Sequence, residues 1–334
     1  MAQQSKIQHV VIIVKENHSF DNYFGTFPGA NGETVPHAPN PPQDDPNHRH
    51  EAWMKRDTDT VHKIQYKETD IPGYFKLAQK FTLCDNYFSE VAGPSTPNHL
   101  MLIAAAAPII NNPAHHYRPT PTDAYDLPSL PASLEKKGLT WGNYGGYPFQ
   151  YIKALKNHPG TRTTDEFIPD ATNGHLPAVS YLYAEGTPSL SEHPKQNVTL
   201  GMQWTIDQIK AVAAGPHWNS VAIFVTWDDW GGWFDHVKPQ VVEKWDPKMA
   251  QRPQDALPQF KGEPFRYGSR VPCLVVSPYA KQGYVSKVLH SHISLVRFCE
   301  DIFKLPPLNK RDAAADGMAD CFDFAQAPKP FPKL

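Results

Sequence analysis

The sequence contains no long apolar run, no excess of basic residues and no closely spaced cysteine pair. No stretch reaches the 18 or more apolar residues of a membrane-spanning helix. A formal net charge of −2 gives none of the basic character expected of a nucleic-acid-binding protein. The four cysteines, at positions 84, 273, 299 and 321, show no C-x-x-C spacing, which argues against a zinc site of paired thiolates. The expected partners therefore include neither nucleic acid nor a membrane span, and no pattern sets the oligomeric state.

The N-terminus also lacks the features of a signal peptide. The residues MAQQSKIQHVV hold one lysine and lead straight into the first predicted strand, without an apolar segment or cleavage site. We keep two interpretations: a secreted or periplasmic protein in its mature form, and a cytoplasmic protein. A disulfide between Cys299 and Cys321 would fit the exported alternative and would attach the C-terminal tail to the last predicted helix.

Proline is abundant, and its distribution predicts long, rigid loops. The chain of 334 residues has 34 prolines, about twice the usual share, interleaved with tryptophan and tyrosine. Predicted strands alternate with predicted helices, which favours an α/β fold with a mainly parallel central sheet and helices on both faces. We predict one domain over residues 1–334. Its expected loop insertions over the site are 25–70, 142–200 and 241–268, and residues 305–334 are expected to form a tail around the outside.

Two adjacent carboxylates follow one of the predicted buried strands. Residues 221–225, VAIFV, are apolar and rich in β-branched side chains, and Asp228 and Asp229 come shortly after them. Ligands of open α/β sheets bind outside the carboxyl ends of the strands. Two like charges at such a place need a cation or a shared proton, although Asp-Asp is also common in ordinary turns. The pattern therefore favours a site for a hard divalent metal.

A second predicted strand ends in the same way. Residues 10–14 are apolar, and Glu16 and Asn17 follow them directly. A carboxylate and an amide oxygen are further ligands for an oxygen-preferring metal. The alternative is that Asn17 only caps a helix.

A candidate nucleophile lies in the segment GPSTPNHL. Gly93 and Pro94 predict a tight turn, and residues 99–107 predict a helix. Ser95 would then lie near a helix N-terminus, where an anion is favoured, and a nearby metal would acidify its hydroxyl. The alternatives are that Ser95 is an ordinary helix cap, with Thr96 as the rival nucleophile.

Four blocks in this order carry a family resemblance: KENHSFDNYFGTFPGANG, CDNYFSEVAGPSTPNHL, TWDDWGGWFDHV and SRVPCLVVSPYAKQG. The chain resembles, from residue 6 to residue 324, the bacterial phosphoesterase family of phospholipases C and acid phosphatases. That family belongs to the alkaline phosphatase and sulfatase-like superfamily, which implies an alkaline-phosphatase-like fold. The resemblance implies five metal-binding residues: Glu16, Asn17, Ser95, Asp228 and Asp229.

The same resemblance implies a divalent metal cofactor and a serine nucleophile. By hardness the ligand set suits calcium, magnesium or manganese, while zinc or iron, or a second ion, stay open. Ser95 would attack phosphorus and form a phosphoserine intermediate, which water would then hydrolyse.

Several of the 16 histidines are candidates for the site. The resemblance makes His193 a contact of the phosphoryl group or leaving oxygen, and His48 an upstream substrate contact, with His50 as the alternative match. His236 would either support the Asp pair or close its turn, and His290 would lie near the site or open a helix. Asn98, in the segment GPSTPNHL, is a further candidate for a residue that supports the site or contacts the substrate.

The substrate is expected to be a small phosphoester, with a phospholipid as the alternative. The larger phospholipases of the family carry extra C-terminal domains, and this chain ends soon after its catalytic blocks, which favours an acid-phosphatase-type phosphomonoesterase. Trp227, Trp230 and Trp233 favour a phospholipase C instead, since they could hold a choline group by cation–π contact. A non-catalytic anion- or metal-binding protein of the same fold is the third hypothesis. A sulfatase is disfavoured, because those enzymes have a Cys/Ser-x-Pro-x-Arg pattern at the nucleophile.

Overall fold

The computed structural model describes residues 6–58, 61–115, 119–120, 122–184 and 189–334. Its strands are β1 (His9–Lys15), β2 (Thr82–Cys84), β3 (Tyr87–Phe88), β4 (Trp141–Tyr144), β5 (Thr161–Arg162), β6 (Val179–Tyr183), β7 (Val221–Trp227), β8 (Glu243–Lys244), β9 (Pro264–Arg266), β10 (Cys273–Val276), β11 (Tyr284–Ser286) and β12 (His290–Ser291). Its helices are α1 (Phe20–Phe24), α2 (His50–Trp53), α3 (Pro72–Lys80), α4 (Ser95–Ala104), α5 (Leu130–Lys136), α6 (Phe167–Asn173), α7 (Val198–Ala214), α8 (His292–Phe303) and α9 (Lys310–Ala313).

Eight strands form one central sheet, in the order β11-β2-β10-β7-β1-β6-β4-β5. Strand β10 runs antiparallel to its neighbours β2 and β7, and the other neighbouring pairs of this sheet are parallel. The prediction of an α/β fold with a mainly parallel central sheet is therefore confirmed.

The central strands β1 and β7 are covered on both faces. From Val10 onward every residue of β1 is buried, and so is every residue of β7, so alternate side chains enter two cores. Helix α7 contacts both α3 and α6, while α4, α5, α8 and α9 form a second group in which α4 contacts α5 and α8, and α8 contacts α9. Within the described ranges, no helix combines the length and apolar character needed to cross a bilayer.

The structure differs from the sequence prediction in residues 142–200. Rather than an irregular insertion, this stretch supplies β5, β6 and most of β4, and β6 lies directly beside β1. The sequence of β6, VSYLY, mixes hydroxyl groups into an apolar run, so it does not meet the criterion used for buried strands. The strand is nevertheless buried throughout, and Tyr181 donates a hydrogen bond to the carbonyl of Leu102 (3.3 Å).

The structure also lacks the Cys299–Cys321 disulfide that the sequence analysis left as a hypothesis. All four cysteines are buried free thiols, and Cys321 Sγ lies 3.7 Å from Cys84 Sγ rather than against Cys299. The reason is the path of the C-terminal segment. Backbone bonds join Lys281 N to Cys321 O (2.9 Å) and Asp323 N to Tyr279 O (2.9 Å), which holds the segment near the β2 edge of the sheet.

A buried carboxyl on helix α8 gives a pH-dependent stability. Glu300 is 1% exposed, and burial, followed by its hydrogen bond to Asp312, raises its pKa to about 9. The folded protein thus keeps this proton while the unfolded chain loses it near pH 4.3, so stability falls as pH rises between those values. Glu300→Gln removes the ionisation, and we expect it to raise the free energy of unfolding by about 1–2 kcal/mol at pH 8.

Urea denaturation at pH 5 and pH 8 measures this difference. Asp301→Asn serves as the control, because the Asp301 side chain is exposed, and its change should stay within about 0.5 kcal/mol at either pH. A Glu300→Gln gain of the same size at both pH values would contradict the assignment.

Candidate active site

The ends of β1 and β7 bring the two predicted ligand pairs together. The strands are parallel and adjacent, with Lys15 opposite Trp227, and the Asp228 N–H donates to Lys15 O (2.9 Å). Glu16 and Asn17 therefore leave the sheet at the same edge as Asp228 and Asp229. The four side chains are between 0% and 8% exposed.

The turn after β1 is held by the turn after β7. Asn17 has a φ of 63°, in the left-handed region that asparagine tolerates better than most residues. The Asn17 and Asp229 N–H groups both donate to Asp228 Oδ1, at 2.8 Å each. Gly231 passes so close that a Cβ at this position would lie 2.1 Å from Asn17 O, which only glycine allows.

Ser95 is the first residue of α4, and its hydroxyl reaches this carboxylate cluster. Ser95 Oγ donates to Asp229 Oδ2 (3.0 Å) and lies 3.4 Å from Asn17 Oδ1. The preceding turn is held by Asn98, whose amide accepts from Val91 N (2.7 Å) and donates to the carbonyl of Pro94 (3.0 Å).

The rival hydroxyl of Thr96 is engaged elsewhere. Thr96 Oγ1 hydrogen-bonds to the hydroxyl of Tyr147 (3.2 Å), and the Thr96 N–H donates to Asn112 Oδ1 (2.7 Å). Of the two candidate nucleophiles, the structure brings Ser95 to the carboxylates.

A buried histidine that the sequence analysis missed faces the same carboxylates. His99 Nε2 lies 3.5 Å from Glu16 Oε1 and 3.4 Å from Asp228 Oδ2. Burial opposes its protonation, but the hydrogen bonds to Asp228 and Glu16 prevail and raise the pKa of His99 to about 9. His99 comes four residues after Ser95, so both lie on one face of α4, and this spacing could have identified it.

The pKa values of Asp228 and Asp229 are shifted in opposite directions. Burial, followed by the charge of Asp228, raises the pKa of Asp229 well above its usual value. Burial acts in the same direction on Asp228, but the hydrogen bond and charge of His99 lower its pKa below the usual value. A second negative charge beside Asp228 is therefore disfavoured in the absence of a cation.

The donor set fits a divalent cation. Glu16 Oε2 has no hydrogen-bond donor, and Asp228 Oδ2 has only the long 3.4 Å contact with His99. Both oxygens are buried, which is costly unless a cation compensates them. Ligand atoms of Glu16, His99 and Asp228 lie within 4.8 Å of one another. Glu16, Asn17, Asp228 and Asp229 would supply the oxygen ligands of a hard ion. A nitrogen from His99 would extend the choice to zinc or iron.

His48 contacts Asn17, so the loop of residues 25–70 does reach the site. His48 Nδ1 donates to Pro46 O (2.9 Å), which leaves Nε2 as the acceptor of a 3.1 Å bond from Asn17 Nδ2. Burial lowers the pKa of His48, which keeps this imidazole neutral. The bond directs Asn17 Nδ2 toward His48 and Asn17 Oδ1 toward Ser95.

Removing His48 should therefore weaken metal binding. We expect His48→Ala to lower affinity for Mn²⁺ about 10- to 100-fold, because Asn17 loses the partner that orients its amide. Calorimetric titration of the metal-free protein measures the affinity. His193→Ala is the control and should leave it unchanged; equal affinity in His48→Ala and the unmodified protein would contradict the orienting role.

The site opens into a cleft of ≈ 320 Å³. The cleft is lined by Asp45, Pro46, Asn47, His48, Arg49, Pro94, Asn112 and His193. His193 is half-buried, and its ring lies 6.2 Å from that of His48, centroid to centroid. These side chains would meet a substrate approaching Ser95.

The neighbouring Glu192 holds the His193 loop against β1. Its carboxylate lies 3.3 Å from Lys15 Nζ and accepts from the hydroxyls of Tyr23 (2.8 Å) and Tyr74 (2.5 Å) and from Trp227 Nε1 (3.1 Å). Both members of the charged pair are fully buried, so their bonds replace the lost solvation. The sequence analysis did not identify this pair, because buried charges resemble surface charges in a sequence.

Three other candidate histidines have partners outside the carboxylate cluster. His50 Nδ1 bonds to Ala92 O (2.7 Å), since its helix α2 packs against the loop before Ser95. His236 Nδ1 bonds to Asp21 (2.6 Å), which closes the turn after the Asp pair rather than supporting it. His290 precedes α8 and contacts Asp320 (3.1 Å). Instead, His292 reaches the site, with Nε2 2.7 Å from Asp228 O.

The three tryptophans after β7 do not form an open cage for a choline group. Trp227, Trp230 and Trp233 are 0%, 3% and 1% exposed. Trp230 Nε1 donates to His48 O and Trp233 Nε1 to Asn17 O, both at 3.1 Å. They pack beneath the site and hold its loops, which corrects the suggestion of a head-group pocket at these residues.

The arrangement of the central sheet is similar to that of solved structures in the alkaline-phosphatase-like class of α/β folds. Murine ectonucleotide pyrophosphatase/phosphodiesterase 5 matches with a TM-score of 0.54 at 10% identity, covering 95% of this chain and 100% of that one. A 2-O GAG sulfatase matches with a TM-score of 0.53 at 8% identity, covering 98% and 77%. Identities this low show a common fold alone.

The chain belongs to the phosphoesterase family, whose model matches residues 7–50 and 42–306. The resemblance found in the four sequence blocks is confirmed. Non-hemolytic phospholipase C of Burkholderia pseudomallei is 26% identical, over 98% of this chain and 60% of that protein. Phospholipase C B of Mycobacterium tuberculosis is 27% identical, over 97% and 79%. The chain thus spans about 60% of the length of the Burkholderia relative.

Proposed function

We propose that this protein hydrolyses phosphoric esters, with Ser95 as the nucleophile. The observation that carries the proposal is the 3.0 Å bond from Ser95 Oγ to Asp229 Oδ2, within a cluster of buried carboxylates. Asp229 orients the hydroxyl, and the dipole of α4 adds positive potential where the phosphoryl group would lie. Membership of the phosphoesterase family supports the same reaction class.

The reaction would proceed in two displacements. A divalent cation held by Glu16, Asn17, Asp228 and Asp229 would supply charge neutralisation and a lowered pKa for the Ser95 hydroxyl. Ser95 Oγ gives its proton to a water molecule and bonds to phosphorus, and the bond from phosphorus to the leaving oxygen breaks. His193, in the cleft wall, donates a proton to the departing alcohol. Water then attacks the phosphoserine, which releases phosphate or a phosphate monoester and restores Ser95.

The first substrate class is a small phosphate monoester, as for an acid-phosphatase-type enzyme. The cleft is lined by polar side chains, among them His48, Arg49 and Asn112. The tryptophans that would favour a choline group are buried beneath it. Recognition in this cleft would therefore centre on the phosphoryl group.

The second candidate is a phospholipase C-type phosphodiesterase. Its support is the set of relatives named phospholipase C, in Burkholderia, Mycobacterium and also Arabidopsis thaliana, which match 97–98% of this chain.

One purified enzyme, loaded in turn with Ca²⁺, Mg²⁺, Mn²⁺ and Zn²⁺, tests the proposal. The measurement is the ratio of turnover on p-nitrophenyl phosphate to turnover on p-nitrophenyl phosphorylcholine. We expect a ratio well above one. A ratio well below one would favour the phosphodiesterase, and no turnover of either substrate above that of Ser95→Ala would point to the non-catalytic alternative.

A further inference from the structure

A second cluster of metal-ligating side chains lies at the β2–β11 edge of the sheet, formed by Cys84, Cys321 and His290. The two sulfur atoms are 3.7 Å apart, and one ligand atom from each residue lies within 4.8 Å of the others. The three residues are 0–1% exposed. Because they are far apart in the sequence, no spacing motif reveals them.

Three different elements deliver these side chains. Cys84 ends β2, His290 begins β12, and Cys321 ends a short 3₁₀ helix, Ala319–Cys321. Cys321 O also accepts from Thr82 Oγ1 (3.3 Å), so the backbone around Cys321 is tied to β2. The side chains therefore converge on a supported position rather than on a free tail.

Two carboxylates complete the surroundings of His290. Asp320 Oδ1 lies 3.1 Å from His290 Nε2 and 3.6 Å from Cys321 Sγ. On the other side of the ring, Asp316 Oδ1 lies 3.0 Å from His290 Nδ1. The Asp320 and Asp316 side chains are 21% and 42% exposed, so both carboxylates reach solvent.

The separations between Cys84 and Cys321, and between Asp320 and its neighbours Cys321 and His290, are close to those of a tetrahedral zinc shell. Zinc binds sulfur at about 2.3 Å, and nitrogen and oxygen at about 2.0–2.2 Å, so neighbouring ligand atoms lie about 3.3–3.8 Å apart. The sulfur–sulfur, sulfur–oxygen and nitrogen–oxygen distances given above match this range to within a few tenths of an ångström. Two thiolates select zinc over calcium or magnesium, which prefer oxygen.

We propose that this edge of the sheet binds a structural Zn²⁺ ion through Cys84, Cys321 and His290 Nε2, and that Asp320, which lies beside His290 and Cys321, moves toward the ion to supply the fourth ligand. Asp316, with Oδ1 3.0 Å from His290 Nδ1, lies behind the ring, where a carboxylate commonly orients a zinc-bound histidine. On binding, each thiol loses one proton to solvent and forms a zinc–sulfur bond, with no change of oxidation state. The ion would hold the C-terminal segment to the sheet.

The position of His290 links this ion to the candidate active site. His292, two residues later, contacts the backbone oxygen of Asp228 at 2.7 Å. A zinc ion on His290 would therefore stabilise the start of α8 beneath the carboxylate cluster. The two sites differ in ligand chemistry, because the carboxylate cluster is built of oxygen atoms and one imidazole.

Titration with cobalt distinguishes the proposed zinc site from the candidate active site. The whole protein, purified under reducing conditions and freed of metal, is titrated with Co²⁺ alone. We expect a thiolate-to-cobalt charge-transfer band in the near ultraviolet that saturates at about one ion per chain and disappears on addition of one equivalent of Zn²⁺. The oxygen ligands of the catalytic cluster give no such band, so failure of the proposed enzymatic function would not affect this result.

Cysteine variants identify the sulfur atoms that bind the cobalt ion. Cys84→Ser and Cys321→Ser should each remove most of the band, whereas Cys299→Ser, on α8, and Cys273→Ser, opposite Cys84 on β10, should retain it. Circular dichroism checks that each variant is folded. Absence of the band in the folded, reduced, unmodified protein would overturn the proposal. So would a band that persists in both folded Cys84→Ser and Cys321→Ser, or a Cys84–Cys321 disulfide mapped in native protein that contains no zinc.

Discussion

Ser95→Ala is expected to lower kcat on a phosphate ester by roughly 10⁴-fold or more, because no other hydroxyl replaces the nucleophile. The variant should still fold, since Ser95 is one small side chain and the turn before it is held by Asn98 through Val91 N and Pro94 O. Steady-state kinetics at saturating metal measures the loss. Mass spectrometry of acid-quenched reactions should show a phosphate adduct on the unmodified protein and none on the variant.

Two further variants test whether the loss of activity is specific to the hydroxyl at position 95. Thr96→Val removes the neighbouring hydroxyl, which bonds to Tyr147, and should change kcat by less than about threefold. Ser95→Thr restores a hydroxyl at the nucleophile position and should recover part of the activity. Retention of more than a tenth of kcat by Ser95→Ala, at unchanged metal content, would exclude Ser95 as the nucleophile.

The largest loss of stability is expected from Lys15→Met. This change leaves Glu192 as a buried carboxylate without its cation, 0% exposed, and such losses cost about 3–5 kcal/mol. Glu192 keeps its bonds from Tyr23 and Tyr74, so the protein should remain folded in dilute buffer. Urea denaturation followed by circular dichroism gives the free energy of unfolding.

The double variant Lys15→Met/Glu192→Gln tests the cause of that loss. Removing both charges should recover most of the stability, because the cost comes from the unpaired charge rather than from the missing contact. Arg297→Met, which breaks the half-exposed pair with Asp301, should cost less than about 1 kcal/mol. A Lys15→Met cost no greater than that of Arg297→Met would mean that the buried pair contributes little.

The strand ends were predictable, because apolar runs followed directly by acids identify the carboxyl edge of a parallel sheet. Glu16, Asn17, Asp228 and Asp229 were singled out in this way, and β1 and β7 do lie side by side. Strand β6 was missed, because its serine and tyrosine hydroxyls conceal a strand that is buried throughout. His236 was not assignable, since its partner Asp21 lies more than 200 residues away.

The amino-acid pattern alone predicts the sheet type and the edge at which chemistry would take place, because these depend on local periodicity and on residues beside strand ends. The family follows from the resemblance carried by the four sequence blocks. The pairings between distant segments depend on the fold. His99 with Glu16 and Asp228, Lys15 with Glu192, and Cys84 with Cys321 are each assembled from different elements. The degree of burial and the identity of the partner, rather than the residue type, determine the charge state and the energetic contribution of these groups. Neither can be read from the local spacing of residues in the sequence.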